Sequence, residues 1–133
     1  MSDQNRTLLV VDDDPGMRSQ LKWGLSAFNV ITANNRQCAL DMLNQYKPAV
    51  VTLDLGLPPD ADGRNEGFEI LRLILDAAPT TYVLIVSGSI EADSEKKAVE
   101  YGAYGYLTKP VDMEKLNVAI EHACQEHAIC KKT

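Results

Sequence analysis

Residues 7–15 read Thr7-Leu8-Leu9-Val10-Val11-Asp12-Asp13-Asp14-Pro15. An apolar, partly β-branched run without polar alternation is what a strand needs when it is covered on both faces. Three acids close that run, and Asp14-Pro15 joins an N-cap residue to a proline suited to a first helical turn. A strand that passes directly into a helix is the opening of a β-α unit. Met17, Leu21, Leu25 and Phe28 then fall at helical spacing on one face.

The alternation continues outward from this stretch. Strands are expected at Asn29–Ala33, Ala49–Leu53, Thr81–Val86 and Tyr104–Leu107. Helices are expected at Arg36–Tyr46, with Ala39, Met42, Leu43 and Tyr46 inward, and at Phe68–Ala78, with Ile70, Leu71, Ile74 and Leu75 inward. Lys47-Pro48 ends the first of these, since the residue before proline avoids helical torsions. A further helix is expected at Glu91–Tyr101, with a thin stripe of Ala98 and Tyr101. A last one is capped by Asp112, with Leu116, Ala119, Ile120 and Ala123 inward, and runs on through Glu126 and Cys130 toward Lys131-Lys132. Strands and helices in strict alternation imply an α/β domain with a parallel sheet covered on both faces. Right-handed crossovers leave few topologies, and a flavodoxin-like doubly wound five-stranded sheet, (βα)5, fits the length.

The chain has 133 residues, 45% of them apolar and 24% charged, so one domain, 1–133, with a core at about 6–124 and a helix extension or linker at 125–133, is expected. Thirteen basic against 19 acidic residues leave a net charge of −6, which argues against direct nucleic-acid binding. The longest apolar runs are far short of the ~20 residues of a membrane helix, and Met1–Thr7 lacks the apolar segment of a signal peptide, so a cytoplasmic location is expected. Cys38, Cys124 and Cys130 form no Cys-x-x-Cys pair and read as packing thiols.

In doubly wound sheets ligands bind beyond the carboxyl ends of the strands. Asp12, Asp13 and Asp14 end the first strand, Asp54 the third, Ser87-Gly88 the fourth and Thr108-Lys109-Pro110 the fifth. Asp14 is accounted for as a cap. Two carboxylates ~4 Å apart repel by about 4 kcal/mol at an effective dielectric near 20, so one takes up a proton or a cation sits among them. All-oxygen donors select a hard cation, Mg²⁺ before Ca²⁺. Asp54 is a candidate nucleophile, because an ionised aspartate can form an acyl phosphate without a general base. Lys109 can neutralise a phosphoryl oxygen, and Ser87 can hydrogen-bond another.

Leu-Val-Val-Asp12-Asp13, Leu-Asp54-Leu-Gly-Leu-Pro58, Val-Ser87-Gly88 and Gly-Tyr106-Leu-Thr-Lys109-Pro110 resemble, in order and spacing, the receiver domain of two-component response regulators. The resemblance spans about Arg6 to Cys124. It implies that Asp54 is the phosphoacceptor served by a histidine kinase, that Asp13, Asp54 and the carbonyl of Gly56 bind Mg²⁺, and that Asp12 acts through metal-bound water. It further implies that Lys109 contacts the acceptor, that Ser87 and Tyr106 are the switch pair, and that the Lys109–Pro110 bond is cis. The loop Leu57–Gly67 is longer than usual for the family. With Arg18-Ser-Gln-Leu-Lys-Trp23 and Val51–Pro59 it is similar to receivers of the PEP-CTERM-system response regulators, sigma-54-dependent activators with ATPase and DNA-binding output domains. That implies the N-terminal receiver of a transcriptional regulator, with a stand-alone relay receiver or a degenerate docking module as alternatives, and a homodimer through the last helix and fifth strand.

Two rival chemistries on the same sheet are disfavoured. A flavin mononucleotide carrier needs a phosphate loop after the first strand, where Asp12-Asp13-Asp14 repels phosphate. A dehalogenase-like phosphatase needs a second acid two residues after Asp54, where Gly56 stands. A metal site at His122, His127 and Cys130 is disfavoured because a spacing of five puts the histidines on different helix faces.

Overall fold

The computed structural model describes residues 6–55, 65–88, 92–109 and 111–132. The elements run β1 (Thr7–Val11), α1 (Pro15–Gly24), β2 (Asn29–Ala33), α2 (Arg36–Tyr46), β3 (Val50–Leu53), α3 (Asn65–Ala77), β4 (Tyr82–Ser87), α4 (Ala92–Glu100), β5 (Gly105–Thr108) and α5 (Met113–Lys132). The five strands form one parallel sheet in the order β2-β1-β3-β4-β5. Strand order reverses between β1 and β3, which makes the gap at their carboxyl ends the switch point where such sheets bind ligands.

The pleat divides β1 between two cores. Leu9 and Val11 pack with Ala39 and Leu43 of α2, with Ile70, Leu71 and Ile74 of α3 and with Ala98 of α4. Leu8 and Val10 pack on the other face with Leu21 of α1 and with Leu116, Ile120 and Ala123 of α5. Successive side chains on a strand point to opposite faces, so an unbroken apolar run feeds both layers. Val11 pairs with Leu53 across the β1–β3 ladder, so Asp12 and Asp54 leave their strands side by side.

The helix boundaries follow local chemistry. Asp14 Oδ1 accepts from the Gly16 amide at 2.9 Å and caps α1. Asn35 Oδ1 does the same for α2 through the Cys38 amide. Lys47 ends α2 in the left-handed region, φ 49°, immediately before Pro48. Asp112 Oδ1 accepts from the amides of Glu114 and Lys115 and caps α5.

Several expected details differ. α1 stops at Gly24, so Leu25 and Phe28 are buried from the turn after it rather than from the helix. Tyr46 is 45% exposed, because the last residue of α2 overhangs the edge of its layer. Tyr101 follows α4 and is half exposed, its ring lying on Phe68 instead of entering the core. α3 begins three residues earlier than expected, at Asn65. α5 is continuous to Lys132, as expected.

Cys38 and Cys124 are free thiols, and burial pushes that of Cys124 up to about 11, so it stays protonated. His127 is buried against Tyr82, while His122 is exposed. No helix among the described residues is long and apolar enough to cross a membrane.

Candidate functional site

Asp12, Asp13 and Asp54 each offer a carboxylate oxygen, and the three oxygens lie within 4.8 Å of one another. The gathering follows from the topology. Asp12 and Asp13 follow β1, Asp54 follows β3, and these strands are hydrogen-bonded neighbours at the switch point. Asp12 is 2% exposed and Asp54 8%, while Asp13 is open to solvent. The pocket therefore has two buried walls and one exposed rim.

Lys109 closes it. Its Nζ donates to Asp12 Oδ2 at 3.0 Å and to Asp54 Oδ2 at 3.3 Å, from the turn just after β5. The Lys109 amide donates to the Ser87 carbonyl at 2.8 Å, which holds that turn against the end of β4. A short strand that delivers one long side chain across β4 is thus sufficient to bring the ammonium back to the β1–β3 gap.

The charges are strongly interdependent. Burial pushes the Asp12 carboxyl above its usual range, and the charge of Asp54 adds to this. The Asp14 amide, which donates to Asp12 Oδ1 at 2.9 Å, and the Lys109 ammonium work in the other direction without reversing it. Burial lowers the affinity of Lys109 for its proton, but its bond to Asp12 and the charge of Asp54 outweigh that and hold it charged above its usual range. One ammonium against three carboxylates leaves negative charge in a small volume. Donors of oxygen only, closely spaced and partly buried, match a hard divalent cation in number and chemistry.

Two contributors escaped sequence reasoning. Arg18, one turn into α1, donates from Nη1 to the Asp12 carbonyl at 2.8 Å and fixes the backbone that carries the first two acids. Its only sequence signal is its position six residues after Asp12. Gly67 in α3 lies against the residue after Asp54, where a Cβ would sit 2.6 Å from the Leu55 carbonyl oxygen. Only a residue without a side chain allows this approach.

The expected switch residues lie on the neighbouring strands. Ser87 is the buried last residue of β4, and Tyr106 is half-buried in β5, paired with Ile85 and packed against the α2–α4 core. Gly56 and Pro110, with the expected carbonyl ligand and cis bond, and most of the long loop lie outside the described residues.

Fold and site together define a class: a doubly wound α/β domain whose ligand-facing edge is a carboxylate pocket spanned by a single lysine. The response regulator receiver domain family matches residues 8–121, and the chain belongs to that family. Regulatory protein AtoC of Escherichia coli (strain K12) is 28% identical over 127 residues, which are 94% of this chain and 26% of that protein. Transcriptional regulatory protein GlrR of the same organism is 31% identical over 130 residues, 96% of this chain and 28% of that one. A solved response regulator receiver domain protein from Clostridium thermocellum superposes with a TM-score of 0.84 at 28% identity, covering 93% of this chain and 98% of that one. The chain thus spans about a quarter of the length of the curated relatives it matches.

Proposed function

We propose that this receiver domain takes a phosphoryl group onto Asp54 from the phosphohistidine of a histidine kinase and relays the change to an output domain. The observation that carries the reading is the Lys109 ammonium bridging Asp12 and Asp54 beside a third carboxylate. Asp54 sits where a nucleophile should: at a strand end, buried, and already in contact with a cation. An Asp54 carboxylate oxygen forms the new P–O bond, while the P–N bond of the donor breaks with its electron pair leaving on the imidazole. Lys109 then turns from the carboxylate to a phosphoryl oxygen, and the Ser87 hydroxyl donates to another, with Tyr106 following it inward.

Asp13 and Asp54, with the Gly56 carbonyl, would hold Mg²⁺ directly, and Asp12 would hold it through water. When bound, Mg²⁺ offsets the charge of the carboxylates and of the incoming phosphoryl oxygens. The shared pocket of three carboxylate oxygens supports this set.

Modified Asp54 would act as a switch rather than as an intermediate of metabolic turnover, with slow self-catalysed loss of the phosphoryl group. Moving a two-state switch from 1:99 to 99:1 takes about 5.5 kcal/mol, a sum within reach of a few charge-assisted hydrogen bonds. The names of the regulatory protein AtoC and the transcriptional regulatory protein GlrR support an output in transcription control. That output would run through the ATPase and DNA-binding domains of a sigma-54-dependent activator. A homodimer through α5 and β5, and a cytoplasmic location, complete the proposal.

The test is intact mass after incubation with Mg²⁺ and acetyl phosphate. One phosphoryl gain is expected, absent in Asp54→Asn and absent with chelator. A chain that gains nothing from any small donor would be a docking module instead.

A further inference from the structure

α4 is the element that chain order places between two residues of the site, since Ser87 ends β4 before it and Lys109 follows β5 after it. Among its described side chains, residues 95–100, only Ala98 is buried, and that is a single methyl group. At its C-terminal end the helix meets two aromatic rings. The Lys97 ammonium lies 4.7 Å from the centre of the Phe68 ring and 5.6 Å from that of Tyr101. The two rings meet edge to face, 5.5 Å apart at 64°.

Phe68 is the important partner. It is buried in the first turns of α3, directly after Gly67, whose backbone lies on Leu55, the residue after Asp54. Tyr106 packs on the same core cluster as Phe68 and Ala98. A line of direct contacts and chain neighbours thus runs from Asp54 through Leu55, Gly67 and Phe68 to Lys97 and Tyr101. Lys97 and Tyr101 are one turn apart at the end of α4, so the contacts that cross to α3 are those with Phe68. A cation–aromatic contact is directional and depends on its charge, so a slide or turn of α4 against α3 weakens it.

We propose that Phe68, Lys97 and Tyr101 form a clamp that fixes the resting position of α4, and that a phosphoryl group on Asp54 must open it. This deepens the receiver reading and rests on it. Lys97 and Tyr101 touch neither donor nor acceptor, so they are positioning residues. By linkage, a clamp opened by the phosphoryl group weakens the hold on that group by the same factor that the clamp favours rest.

Two measurements on the 133-residue chain test it. The first is the affinity for beryllium fluoride with Mg²⁺, a stand-in for the phosphoryl group. The second is hydrogen exchange at the amides of 92–104 with no stand-in added. Lys97→Met keeps the stem but removes the charge, so it should bind beryllium fluoride roughly three- to tenfold more tightly and exchange faster across α4, with α5 unchanged. Lys97→Arg keeps a cation on the rings and should behave as the parent, and Lys96→Met, with the same charge change on the same helix, should have no effect. Tyr101→Leu should follow Lys97→Met. If Lys97→Met and Lys96→Met are indistinguishable in both readouts, the clamp does not exist. If exchange rises but affinity does not, the cluster merely packs the helix, and the proposal is overturned. If the parent chain takes up neither beryllium fluoride nor phosphoryl, the receiver reading fails, while exchange still reports whether Lys97 holds α4.

Discussion

α5 and α4 cover opposite faces of one sheet, and they are attached by different physics. α5 is embedded: Leu116, Ile120, Ala123 and Cys124 are fully buried against β1, β3 and β4. It is also tied at its side, where Arg6 donates two hydrogen bonds to the Glu121 carboxylate at 2.9 and 3.0 Å and lies over the Phe28 ring. Among its described side chains α4 contributes only Ala98 to the opposite core, and Lys97 meets the rings of Phe68 and Tyr101. Apolar burial is non-directional and lost only on unfolding, whereas a cation–aromatic contact is directional and weak enough to be exchanged in the folded state. The two faces of one sheet thus carry helices attached in different ways.

That division is most easily broken through stability. Ile120→Ala should cost ~2–5 kcal/mol in urea unfolding, as expected for a fully buried aliphatic side chain, while Val99→Ala on α4 should stay within ~0.5 kcal/mol. Equal losses at the two positions would mean that the helices are equally integrated and that the contrast is wrong.

The acid pocket sharpens the contrast from a third direction. Burial raises the Asp12 carboxyl, so the folded chain holds its proton more tightly than the unfolded chain does. Its contribution to stability is therefore unfavourable once pH exceeds the raised native value, and it disappears below the ordinary carboxylate range. Asp12→Asn should melt at a higher temperature than the parent at pH 7 without Mg²⁺, and the gain should shrink on acidification. A lower melting temperature at pH 7 would show that the Lys109 bond outweighs burial.

The smallest effect is expected at the Arg6–Glu121 tie, which is about a third exposed on each side. Arg6→Ala should cost on the order of 0.5–1 kcal/mol, after solvent screening is allowed for. The bond to Arg6 lowers the Glu121 carboxyl, so the tie is complete above the ordinary glutamate range and is lost as pH falls through the depressed value. The gap between parent and variant in urea titrations should therefore close in acid and remain constant from pH 6 to 8. A gap that persists in acid would assign the effect to the Phe28 contact instead.

Much of this could be read from residue order alone. Thr7–Val11 falls where an unbroken apolar run puts it, because burial on two faces leaves a strand no polar positions, while β-branched residues mark the edge strand Asn29–Ala33 and helical spacing marks Arg36–Tyr46. Asp12, Asp13, Asp54 and Lys109 were legible as a group because a β-α alternation sends every strand end to one edge. Arg18 and Lys97 were not, since each reads as an ordinary charge on a solvated helix face until the fold supplies the carbonyl or the rings it meets. Gly67 was unreadable for a related reason: its value lies in the backbone it touches, and nothing local announces a neighbour twelve residues back in the chain.

The lysine that spans the pocket lies 97 residues from Asp12 and 55 from Asp54 in the chain. Contacts of that range form late, because long loops must close before they stabilise anything. During synthesis the acids emerge from the ribosome well before their cation does. A nascent chain that ends before β5 has its three carboxylates and lacks the ammonium that spans two of them. The pocket is thereby completed only when the last strand has docked, so the pair of contacts that spans it also marks the domain around it as finished.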